Sequence, residues 1–126
     1  MTSSHYINTD LEIESVEDFS PIVESFADDV VVLYHGTVLQ KFRVSFESVD
    51  VAANANVTVN NFCKLIEALP ISARKIWDRS LTKIFDIGYQ AGVEPRSYSS
   101  EIQPDTIERL AALSAGIRVT IYSVQP

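Results

Sequence analysis

Polar and apolar positions alternate one by one over residues 5–14. Ile7, Thr9, Leu11 and Ile13 fall on one side, and Asn8, Asp10, Glu12 and Glu14 on the other. A period of two predicts a β-strand with one dry face and one wet face. The pattern then lengthens: Val16, Phe19, Ile22, Val23 and Phe26 recur at helical spacing. Ser15 is placed to cap this helix and Glu17 and Asp18 suit its first turn, although Pro21 moves the regular start toward Phe19. The β-branched run at 30–34 predicts a strand covered on both faces. His35-Gly36 opens a turn, and alternation returns over 41–49 with Phe42, Val44 and Phe46 inward and Arg43, Ser45 and Glu47 outward. These two strands predict a hairpin.

Residues 50–56 are small and polar, which predicts a loop. A helix beginning near 57–58 carries Val59, Phe62, Cys63, Ile66 and Leu69 and stops at Pro70. A short helix capped by Ser72 extends to Leu81 with Ile76 and Trp77 as its apolar positions, and a strand over 83–89 shows Phe85, Ile87 and Tyr89 on one side. After a loop over 92–100, Pro104 opens a last helix through Ile107, Leu110, Ala111 and Leu113, which Gly116 terminates. A final strand over 117–124 places Ile117, Val119 and Ile121 together.

The order β-α-β-β-α-(α)-β-α-β predicts an α+β fold: a mainly antiparallel sheet with helices packed on one face. Its first six main elements follow the ferredoxin-like βαββαβ order, with an extra helix and a C-terminal αβ unit. The 126 residues form one domain, 1–126, and no repeat or linker divides them. At 46% hydrophobic and 21% charged, the chain has the apolar content to build its own core.

Charge changes the picture more than composition does. Residues 1–40 contain eight acids and no Lys or Arg, while residues 41–126 hold ten basic and nine acidic groups. Residues 1–40 therefore carry −8 and the remainder +1, which together make the net −7. Such a field repels nucleic acid and anionic membrane, and it attracts a basic protein partner. No run of apolar residues reaches membrane-spanning length and no leader pattern opens the chain, so the expected compartment is the cytoplasm. One cysteine, Cys63, excludes an internal disulfide and a cysteine-based zinc cluster, and nothing calls for a cofactor or metal.

Four constellations carry candidate chemistry. Asp10, Glu12 and Glu14 project from one strand face, too far apart along the strand to chelate one ion, but suited to docking a basic partner. His35, Cys63 and Asp86 are types that make a nucleophile with its base and orienting acid, although Cys63 sits on an apolar helical stripe. Arg74, Lys75 and Arg79 surround Trp77, as phosphate or base grips do. Tyr89, Arg96 and Tyr98 could line a small pocket for an anion or carboxylate, with Gly88 allowing a bulge, a close approach or packing beneath Trp77. No phosphate-binding glycine loop, zinc-protease helix or nucleophile elbow is present.

The segments Trp77-Asp78, Phe85-Asp86-Ile87-Gly88-Tyr89, 107–113 and 117–122, with 9–15 at the opening, resemble conserved hypothetical proteins of bacteria in families of unknown function. That resemblance implies a bacterial origin and transfers no site residue. Three functional expectations follow. The first is a non-catalytic interaction module, of inhibitor or immunity type, binding through Asp10, Glu12 and Glu14. The second is a small-molecule sensor with its pocket near Tyr89, Arg96 and Tyr98. The third is an enzyme built on Asp86, His35 or Arg96. A homodimer is compatible with each.

Overall fold

The computed structural model describes residues 3–49 and 54–124, so the loop expected over 50–56 lies partly outside the described residues. The elements are β1 (His5–Ser15), α1 (Ser20–Phe26), a single 3-10 turn (Ala27–Asp29), β2 (Val30–Val38), β3 (Lys41–Ser48), α2 (Ala55–Glu67), α3 (Ile71–Arg79), β4 (Thr82–Gln90), α4 (Pro104–Ala112) and β5 (Gly116–Tyr122). The strands form one sheet in the order β2-β3-β1-β4-β5. All neighbouring pairs are antiparallel except β4 with β5. The chain is an α+β protein with a mainly antiparallel sheet. Its strand order goes beyond the four strands of a βαββαβ unit, because β5 adds a parallel member outside β4.

The period of two in β1 decides which side is dry. Thr9, Leu11, Ile13 and Ser15 are buried, and on the same face lie Val44 and Phe46 of β3 and Phe85 and Ile87 of β4. Helical residues close over them: Ile22 and Phe26 from α1, Val59, Phe62, Cys63 and Ile66 from α2, Trp77 from α3 and Leu110 from α4. Each fully buried Leu, Ile or Phe here contributes about 1.5–3 kcal/mol. Trp77 Nε1 donates to the Leu113 carbonyl at 3.1 Å, so its one polar atom is satisfied inside the core. The Lys83 ammonium lies over the same ring, with Nζ 5.7 Å from its centroid. The opposite sheet face carries no helix among the described residues.

Several local expectations are corrected. The run 30–34 is not covered on both faces: Val31, Val32, Leu33 and Tyr34 are exposed, because β2 is an edge strand paired only with β3. Ile7 leaves the dry row because the β1–β4 register shifts between Tyr6 and Asn8. Gly88 faces that irregularity rather than Trp77; a Cβ there would stand 2.9 Å from Asn8 Oδ1. α1 starts at Ser20 with Pro21 in its first turn, and Asp18 rather than Ser15 receives the Ser20 N–H, at 2.8 Å. α2 starts earlier than 57, capped by Asn54, which accepts from the Val57 N–H. α3 starts at Ile71 without a side-chain cap, so Ser72 lies inside it, and it ends at Arg79 rather than Leu81. The residue that terminates α4 in the left-handed region is Ser114 (φ 56°); Gly116 already belongs to β5.

His35-Gly36 is strand, and the β2–β3 hairpin turns three residues after Gly36, at Leu39 and Gln40, with φ of 52° and 68°. Two consecutive left-handed residues define the tight turn that matches strand twist, and Asn-Gly is its preferred pair. Leu39 is 91% exposed, so nothing it packs against offsets that strain. The double substitution Leu39→Asn, Gln40→Gly should therefore stabilise the fold by about 1 kcal/mol. Urea denaturation checks this: the midpoint should rise with the slope unchanged.

Candidate functional site

Two of the sequence-derived sets occupy opposite faces of the sheet. Asp10, Glu12 and Glu14 do share the polar face of β1, and the register brings Arg43, Ser45 and Glu47 of β3, and Thr82, Ile84 and Asp86 of β4, beside them. Glu12 is the hub. Arg43 Nη2 donates to its Oε1 at 3.0 Å, and Arg118 Nη1, from β5, donates to its Oε2. Arg118 also lies 3.5 Å from Asp86, whose Oδ1 accepts from the Thr120 hydroxyl at 2.6 Å. The Glu12 carboxylate keeps only 15% of its exposure, and two guanidiniums compensate it. Glu14 has Lys41 at 3.9 Å, and Glu17 takes a bidentate pair from Arg79 at 2.8 and 3.0 Å.

The acids of residues 1–40 are therefore not uncompensated where the strand face was expected to be so. Cations from β3 and β5 fold onto Glu12 and Glu14 because opposite charges share the polar face of the sheet, and Arg79 at the end of α3 reaches Glu17 just after β1. Glu24, Asp28 and Asp29 stand apart from this. They are exposed and make no ion pair among the described residues. Asp10 is the anomaly within the network. It sits directly between Glu47 and Asp86 in the ladder, and its Oδ1 is buried with no hydrogen-bond partner. Desolvation first, then the charges of Glu47, Asp86 and Glu12, push its pKa up to about 6. No group of three His, Cys, Asp or Glu side chains among the described residues is arranged to hold a metal ion.

The second set is only partly brought together. Tyr89 projects from β4 on the helix-side face, edge-on to Tyr6 and to Tyr98 with both centroid distances 5.9 Å. Tyr89 Oη donates to Ser100 Oγ at 2.8 Å. With Val119 and Ile121 of β5, Tyr89 and Tyr98 wall a cavity of about 400 Å³. Arg96 is not among its walls; it is exposed and makes no ion pair among the described residues. The expected anion grip is thus missing from this pocket. Val119 and Ile121, which the sequence pattern placed on one apolar row with Ile117, were not assigned to the pocket; that they wall it follows from β5 pairing beside β4 at the sheet edge.

The remaining constellations are dispersed. Cys63 is buried in the core on α2, His35 is exposed on the β2 edge, and Asp86 lies on the opposite sheet face. Burial pushes the Cys63 thiol up to about 11, away from nucleophile chemistry. Arg74 pairs with Asp78 at 3.1 Å and Arg79 with Glu17, while Trp77 is core, so α3 offers no joint grip for a phosphate. Compared with protein-family models, curated proteins and solved structures, the chain finds no match in any of the three.

Asp10 sets a pH dependence. Its folded pKa lies above the ordinary aspartate value of 3.8, so its contribution favours the fold below about pH 4 and is lost as pH rises through about 6. Asp10→Asn should remove this loss, raising stability at pH 7 by about 1–2 kcal/mol after solvent screening and flattening the profile between pH 4 and 7. Urea titrations of both proteins across that range measure it.

Proposed function

We propose that the protein is a non-catalytic interaction module that docks a basic protein partner on the β2 edge of its sheet. The observation that carries this reading is the exposed apolar run Val31, Val32, Leu33 and Tyr34, directly after the exposed acids Asp28 and Asp29, which make no ion pair among the described residues. An apolar centre with a charged rim is the usual anatomy of a protein interface. The acids that remain available to a cationic partner lie here rather than at Asp10, Glu12 and Glu14. The extra residue between Val32 and Tyr34 disrupts regular pairing, which disfavours simple addition of another strand. Docking is therefore by side chains, with the acids steering the approach. An inhibitor or immunity-type role is consistent with a surface of this kind.

The ferredoxin-like reading of the first six main elements belongs to the same proposal. It is supported by β1 lying between β3 and β4, antiparallel to both, with β2 outside β3. In such a unit the uncovered face and edges are the surfaces left for partners.

A short valine–threonine peptide flanked by lysines serves as the probe. Titrated into the isotope-labelled chain, it should shift the amide resonances of 30–38, with an affinity that falls steeply as salt is raised. Asp28→Lys combined with Asp29→Lys should weaken binding by about tenfold or more while leaving the unfolding midpoint near that of the wild type. Shifts centred on Asp10, Glu12 and Glu14 instead, or binding insensitive to salt and to both substitutions, would overturn the β2 assignment.

A further inference from the structure

On the other side of the molecule, helices stop short of β5. Phe85 and Ile87 of β4 are buried beneath them, while their β5 partners Ile117 and Val119, and Ile121 beyond, are exposed. The segment 91–103 returns across this end of the sheet without regular structure until α4. It is pinned along its length: Gly92 N–H donates to Ser4 Oγ, Ser4 N–H to the Glu94 carbonyl, and Gln103 N–H to Asn56 Oδ1. Tyr98 and Ser100 are thereby held opposite Val119 and Ile121, with Tyr89 forming the wall between. The open pocket so formed, about 400 Å³, is within the volume range of small-molecule sites.

Its walls carry a definite chemistry. Among the described residues, no Asp, Glu, Lys, Arg or His lines the cavity. Tyr89 and Tyr98 lie edge-to-face at 61°, an arrangement that presents ring edges and faces to a third ring. Its polar side chains are the two tyrosine hydroxyls, Ser4, Ser100 and Gln90. Ser4 Oγ accepts from Gly92 N–H, Ser100 Oγ from Tyr89, and Gln90 Nε2 donates to the Ala91 and Tyr122 carbonyls, which leaves lone pairs of the hydroxyls and the Gln90 carbonyl oxygen for a ligand. An anion entering here would lose its hydration without meeting a cation, since Arg96 stands outside. We infer that the cavity between Tyr89, Tyr98, Val119 and Ile121 is a binding site for an uncharged, planar aromatic small molecule bearing a hydrogen-bonding group at its edge. The site is independent of the β2 surface: it lies at the opposite edge of the sheet and shares no residue with it.

Indole is the probe, with benzoate as its anionic counterpart. In a titration of the full chain followed by NMR, indole should shift the Tyr89, Tyr98, Val119 and Ile121 signals saturably, and benzoate should bind at least about tenfold more weakly. Tyr98 is 44% exposed and Ile121 is 66% exposed, so substitutions at either leave the core intact. Tyr98→Ala and Ile121→Asp should each lower indole affinity about tenfold with an unchanged unfolding midpoint, and Tyr98→Phe should largely restore it. The inference is overturned if indole gives no saturating shift or shifts residues elsewhere. It is also overturned if benzoate binds as well and Arg96→Ala abolishes it, which would restore an anion site. Protein-concentration-dependent shifts of the β5 signals without any probe would assign the surface to a second copy instead.

Discussion

The sheet is organised around Glu12 and its two arginines. β1 is the central strand, and its dry side, with Leu11 and Ile13, anchors the helices. Its wet side has no covering layer, so its charge must be balanced within the sheet. Glu12 meets that demand by holding Arg43 from β3 and Arg118 from β5, and through Arg118 it reaches Asp86. The chain of charges crosses four adjacent strands. Removing the central carboxylate would leave two guanidiniums facing each other over a partly dry surface, a larger loss than one exposed pair.

The same arrangement explains where the surface is left for binding. Acids that meet a cation at the sheet centre are consumed structurally. Those on the turn before β2 have no strand neighbour to neutralise them and stay available. The two sheet edges consequently differ in character. One is apolar with an anionic rim around Asp28 and Asp29; the other is apolar and uncharged around Val119 and Ile121, since Arg118 is already engaged.

Much of the fold was legible in the residue pattern because its central strands obey simple rules. The alternation in β1, β3 and β4 marked the centre of each buried row, from Thr9 to Ile13, at Val44 and Phe46 and at Phe85 and Ile87, while Ile7 fell outside it; Trp77 was assignable to the core. The failures share one cause: they depend on what lies beyond the local segment. A run of valines reads as a doubly covered strand, yet β2 is at an edge, which only the global strand order decides. The hairpin turn escaped notice because Leu39 and Gln40 lack the usual turn residues. Of the candidate site residues, Tyr89 and Tyr98 come together, whereas Arg96 and the pairing of Glu12 depend on contacts distant in sequence.

The position of β1 has a consequence for how the chain acquires its shape. It is the first of the described strands, yet Leu11 pairs with Phe46 on one side and with Phe85 on the other. As the polypeptide leaves the ribosome, this strand therefore waits for partners that are made much later, while the local β2–β3 hairpin can close on its own. Assembly of the sheet is a late, long-range event, slow by the logic of contact order. Until it is complete, β1 has both edges bare, and its alternate acids Asp10, Glu12 and Glu14 are what discourages pairing with another chain in that interval.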